Sequence, residues 1–109
     1  MSNWTHVAGI IRVDDLARCL GKKPLNFQKL IDDLPSGSEG PLQMSVWVNP
    51  AKSCLFSYVI SIFGDLRDHH SAEEIVEWFK KTCDKFTVRD AAVTVRNEWN
   101  GTKTWFYEE

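Results

Sequence analysis

Asp65, Asp68, His69 and His70 form the densest cluster of side chains in this chain that could do chemistry. Carboxylates and imidazoles this close together are the donor types of a divalent metal site or of a small metal-dependent enzyme. A closed metal shell usually needs a ligand from a second element, and adjacent histidines on a loop tend to point apart. The cluster therefore reads as a solvated loop leading into a helix, with Asp68 and Ser71 as local caps and no metal. A strand end next to a helix start is also good geometry for an anion or small ligand. On that ground Arg12, Asp65, Arg67 and His69 are the candidate ligand-binding residues.

Other catalytic patterns are missing. The chain has no G-x-S-x-G, no glycine-rich phosphate loop and no H-E-x-x-H. Its three cysteines and three histidines could be paired on paper, as in any such sequence. No catalytic residue and no cofactor is expected, and the chain reads as a non-enzyme.

The elements that would position these residues follow from periodicity. Cys54 to Phe63, CLFSYVISIF, is the longest apolar run, uncharged and ending at Gly64. It reads as a central strand buried on both faces. Trp4 to Val13 alternates weakly, with Val7, Ile11 and Val13 on one side and Trp4, His6, Ala8 and Ile10 on the other. It reads as a second inner strand, in which Gly9 marks a bulge or a close backbone approach. Asp14 and Asp15 offer an N-cap to a short helix, LARCL, ended by Gly21. Asn26 can cap a further helical piece that Pro35 stops. Pro35 to Pro41, PSGSEGP, reads as a plain and mobile loop.

Leu42 to Val48 alternates cleanly, with Gln43, Ser45 and Trp47 on the outer face. It pairs with the central strand through a turn at Asn49 to Lys52. Ser71 to Glu74 is a capping box opening a helix from Ala72 to about Lys85, striped by Ile75, Val76, Phe79, Cys83 and Phe86, with Trp78 at its edge. Ala91 to Trp99 is a strand, and Asn100-Gly101 predicts a two-residue hairpin turn returning along Thr102 to Tyr107. That register pairs Glu98 with Lys103 and sets Arg96 beside Trp105.

The resulting order, β-α-β-β-α-β with an added C-terminal hairpin strand, predicts a ferredoxin-like α+β domain spanning 1–109. Its antiparallel sheet, with strands in the order second, third, first, fourth, fifth, would carry two helices on one face. Acylphosphatases share this element order but carry a glycine-rich loop with an arginine after the first strand. Here Arg12 leads into the acidic Val13-Asp14-Asp15, which would repel a phosphate.

Five tryptophans are more than a core of this size easily hides. The sheet face away from the helices is expected to hold Trp47, Tyr58 or its neighbours, and some of Trp4, Trp99 and Trp105. Trp47, Trp99, Trp105, Tyr107 and Arg96 are the candidate interaction residues, for a protein partner or self-association. The central strand has no Lys or Arg interleaved with its aromatics, so RNA binding is not expected.

Composition bounds the rest. At 109 residues, 43% hydrophobic and 26% charged, the chain is one globular domain. A net charge of −2 gives no bulk attraction to nucleic acid or to anionic membranes. No apolar run approaches the ~18 residues of a membrane span, and MSNWTHVAGI lacks signal-peptide character. Cys19, Cys54 and Cys83 are odd in number and without zinc spacing, as expected of buried free thiols in a reducing cytoplasm.

The opening W-T-H-V-A-G-I-I-R-V-D, Trp4 to Asp14, resembles the start of small proteins encoded by phages and prophages of Gram-positive bacteria. The resemblance covers about eleven residues and the overall length. It implies a cytoplasmic accessory protein that inhibits a host defence system, by binding a protein or by sequestering a small signal. The expected function is therefore a non-enzymatic binding protein acting by protein–protein contact. The alternative is a small-ligand or nucleotide-binding protein with its site at a subunit interface.

Overall fold

The computed structural model describes residues 3–15, 29, 33–48, 56–68 and 72–107. Five strands form one antiparallel sheet: β1 (Trp4–Asp15), β4 (Gln43–Val48), β5 (Phe56–Arg67), β6 (Thr87–Asn97) and β7 (Gly101–Phe106). Their order is β4-β5-β1-β6-β7. A two-stranded ribbon, β2 (Ser36–Gly37) and β3 (Gly40–Pro41), and one helix, α1 (Ala72–Cys83), complete the described elements.

This corrects the expected two-helix ferredoxin-like fold, because a single helix, α1, stands beside the sheet among the described residues. Asp14 and Asp15 are strand residues, and the segment they were expected to cap lies outside the described residues. They prolong β1, where Asp14 pairs with Ser57 and Asp15 with Phe56. Ser57 Oγ also donates to the Asp14 carboxylate at 3.3 Å. Most of the residues from 16 to 32, where the first helix was expected, lie outside the described residues, as do the turn at 49–52, Ser71, Cys19 and Cys54.

Helix α1 rests on one face of the sheet through Ala72, Ile75, Phe79 and Cys83. They meet Val7, Ile11 and Val13 of β1, Ile60, Ile62 and Leu66 of β5, and Val93 and Val95 of β6. Gly9 serves a close approach, as its place in β1 predicts. A Cβ there would lie 2.8 Å from Cε2 of Phe79, so the bare backbone lets that ring lie flat against β1. Glu73 and Glu74 in the first turn and Lys80 and Lys81 in the last suit the helix dipole.

Two strands depart from their expected faces. β5 does not stop at Gly64 but runs through it to Arg67. It is buried on one face only: Tyr58, Ile60, Ile62 and Leu66 point inward, while Val59, Ser61 and Phe63 are half-buried or exposed. β1 behaves likewise, with Ala8, Ile10 and Arg12 open to solvent. In β6 the bulge falls at Arg89, between the Arg12–Asp90 and Val13–Val88 pairs, so Val88 and Ala91 both face the core.

Pro35 to Pro41 is a paired ribbon rather than a plain loop. The Ser38 amide donates to the Arg67 carbonyl at 3.0 Å, and the Leu42 amide to the Pro35 carbonyl at 2.9 Å. A Cβ on Gly37 would sit 2.5 Å from the Arg67 carbonyl oxygen, so only glycine permits this contact. Arg67 then reaches Glu39 at 2.8 Å.

Candidate functional site

The sheet face away from α1 is uncovered among the described residues. It is built from the outward residues of five strands, and the pairing registers set them in rows across the sheet. One row runs Gln43, Phe63, Ala8, Thr94, Thr104. The next runs Ser45, Ser61, Ile10, Ala92, Phe106. Apart from Gln43 these two rows are apolar or small, and each of the large apolar side chains, Phe63, Ile10 and Phe106, has a small one next to it along its strand. Exposure is 45% for Phe63, 49% for Ile10, 54% for Trp47 and 63% for Phe106. Ala8, Ser61, Ala92 and Thr94 line a shallow concavity of about 360 Å³ between the larger groups.

Charged rows bound this centre at both ends. On one side lie Asp65, His6 and Arg96. His6 Nδ1 is 2.7 Å from Asp65 Oδ1 and its Nε2 is 3.9 Å from Glu98 Oε2. The imidazole is thus clamped between two carboxylates. Among the described residues no hydroxyl or thiol is shown hydrogen-bonded to it. On the other side lie Arg12, 3.9 Å from Asp90, and Arg89, 3.5 Å from Asp14. Arg96 is exposed and has no ion-pair partner among the described residues.

The expected site residues divide accordingly. Arg12, Asp65 and Arg96 stand on the open face, with Trp47 at its β4 margin. Asp65 belongs to strand β5 rather than to a loop. Arg67 is taken up by Glu39, and by Asp68 at 3.8 Å. Asp68 turns the chain at a φ of 59°, which an aspartate tolerates; its amide donates to the Asn3 carbonyl at 2.6 Å. His69 and His70 lie outside the described residues. No group of three or more metal-type side chains occurs among the described residues.

Trp105 and Tyr107 leave the interaction set. Trp105 lies over α1, edge-on to Phe79 with ring centres 5.8 Å apart, and Tyr107 stands edge-on to it at 6.3 Å. Lys80 Nζ is 5.8 Å from the Trp105 ring centre. The cause is the β6–β7 register. Asn97 pairs with Gly101, so the loop is Glu98, Trp99 and Asn100, not the two-residue turn expected. Asn97 Oδ1 accepts from the Trp99 and Asn100 amides, both at 3.0 Å, and Gly101 takes a φ of 86°. That is a three-residue loop closed by a left-handed glycine. It places Trp105 opposite Val93, on the buried face, and Thr102 opposite Arg96. Glu98 reaches His6 instead of Lys103, and Lys103 meets Glu73 at 3.4 Å. Trp99 remains exposed at the hairpin tip. Of Tyr58 and its neighbours, expected outward, Val59 stands on the open face beside Trp47 and Arg12, and Tyr58 is buried on the helix side.

His6, Ile10, Phe63 and Phe106 were missed. A strand read as buried on both faces hides its outward residues from notice, although the alternation from His6 to Arg12 already placed them together. Cys83 is a buried free thiol at the end of α1. Burial, with the Asp84 charge adding to it, pushes its pKa up to about 11, so it is not a poised nucleophile. No helix among the described residues is long and apolar enough to cross a membrane. Comparison with protein-family models, curated proteins and solved structures finds no match.

Proposed function

We propose that this chain is a non-enzymatic binding protein that works through its open sheet face. The observation that carries this reading is an apolar, two-row centre on a sheet face left uncovered by the described residues, bounded by charged residues at both ends. Such a patch on a small domain marks an interaction surface, because exposed apolar area is costly in water. The apolar centre with a charged rim is the anatomy of a protein interface. The clamped His6 and the raised Cys83 thiol favour binding over catalysis. With the resemblance of the first strand to phage-encoded proteins, the reading becomes an inhibitor of a host defence system. It would act in the cytoplasm by protein–protein contact, with Trp47 and Trp99 at the margins as anchors.

A photo-crosslinking amino acid at Ser45, on the open face, and another at Lys81, on the outer side of α1, test this in the cells that naturally make the protein. Adducts with one discrete protein from position 45 and few from 81 are expected. Equal labelling from both, or none from 45, removes the open face as the working surface.

One observation favours a second reading, a small-ligand binder. The concavity over Ala8 has the size and apolar lining of a ligand site, with Arg96 and Asp65 near its rim. Native mass spectrometry of protein purified in gentle buffer distinguishes the two, since a stoichiometric small mass would support the ligand.

A further inference from the structure

The open face is self-complementary, and we propose that a second copy of this chain packs on it, face to face, about a two-fold axis. The axis crosses the strands between the Phe63–Ala8–Thr94 row and the Ser61–Ile10–Ala92 row. This rests on the reading of that face as the binding surface and names the occupant of its centre.

The argument is one of register. A two-fold axis in that position exchanges the two central rows. Phe63 then falls over Ser61 of the second copy, Ile10 over Ala8, and Phe106 over Thr104. Each large side chain meets a small one, so the concavity around Ala8 receives Ile10 of the second copy. Two antiparallel sheets packed at about 10 Å interdigitate in this manner.

The same operation exchanges the next rows outward. Arg96, which has no ion-pair partner among the described residues, falls over Asp90 of the second copy. Asp90 holds Arg12 of its own chain only loosely, at 3.9 Å. The contact is isologous, so each opposite-charge pairing occurs twice. An axis along β1 would instead set Ile10 on Ile10, large on large.

The area suffices. The strand lengths that overlap about this axis, nearly all of β1, β5 and β6 and the ends of β4 and β7, cover about 600 Å² per copy, or about 1,200 Å² for the pair. That lies within the range of stable, specific interfaces. Trp47, at the β4 edge, and Trp99, at the hairpin tip, lie outside the paired area.

Sedimentation equilibrium tests the pairing. The wild-type protein is expected at twice the 12.5 kDa chain mass. Ile10→Asp and Ala8→Trp change exposed positions and should give folded monomers, with a dissociation constant raised at least ~100-fold. Arg96→Asp and Asp90→Arg should each weaken the dimer about tenfold, and the double exchange should recover most of that loss. A wild-type monomer at about 0.1 mM overturns the pairing. So does a dimer that survives both Ile10→Asp and Ala8→Trp, or a double exchange no better than its singles. In the dimer Ser45 lies over Gln43 of the second copy, and its adducts are with this chain. If the pairing fails in these ways the face is left open, and crosslinks from Ser45 to a different protein still support the binding reading. The loss of those crosslinks as well would instead remove the reading beneath.

Discussion

Trp105 lies directly across from Val93, three residues out of the register that an Asn100-Gly101 turn would impose. A shift by an odd number of residues turns every side chain of β7 to the opposite face. Trp105 becomes part of the core margin and Phe106 part of the open face.

The two neighbours should therefore respond differently. Trp105→Ala removes the ring between Phe79, Tyr107 and Lys80 and should cost about 2–4 kcal/mol of stability. Phe106→Ala should change stability by less than about 0.5 kcal/mol while weakening association. Urea unfolding alongside a binding measurement checks both.

Asn97 joins the hairpin to the far end of β1. Its Nδ2 donates to Thr5 Oγ1 at 2.9 Å, and both residues are buried. Asn97→Ala removes the donor to Thr5 and the acceptor of two loop amides, at an expected cost of about 2–3 kcal/mol. Asn97→Asp restores the acceptor for those amides but not the donor to Thr5, and should lie between. Chemical denaturation midpoints rank the three proteins.

Gly37 and Gly40 flank the same ribbon turn and should fail for different reasons. Gly37→Ala drives a Cβ into the Arg67 backbone and should undock the ribbon, seen as faster hydrogen exchange at the Ser38 and Leu42 amides. Gly40 has open space around a Cβ but a φ of 125°. Gly40→Ala should cost about 1–2 kcal/mol of backbone strain with the docking bonds kept.

Cys83 makes stability depend on alkaline pH. Its thiol is held protonated in the fold, to about 11, against 9.0 for the ordinary group. Above pH 9 the unfolded chain therefore loses a proton that the folded chain keeps, and stability falls as pH rises from about 9 to about 11. Cys83→Ala should flatten that part of the profile. At pH 8 its alkylation, followed by peptide mapping, should run about a hundredfold slower than that of a free thiol.

How much of this was legible in the chain depends on how local each cause is. The α1 stripe of Ile75, Phe79 and Cys83 repeats within one helix, and the alternation of Leu42, Met44 and Val46 within one strand, so short windows suffice to read them. The strand order also follows from element order and handedness. The openness of Ile10 and Phe63 is not local. An apolar residue on a strand is the same letter whether a helix covers it or water does, and one helix among the described residues covers one face.

The sequence by itself determined roughly where the five strands of the main sheet and α1 lie, and which residues share a face along β1, β4 and β6. Those are consequences of side-chain period and of turn-forming residues, which act over a few positions. Tertiary structure alone decided which face of β1 and β5 is open, the β6–β7 register, and the docking of the 36–41 ribbon on Arg67. Each turns on a contact between residues far apart in the chain, such as Asn97 with Thr5 or Gly37 with Arg67. No local preference encodes such a contact; the free energy of the assembled sheet selects it.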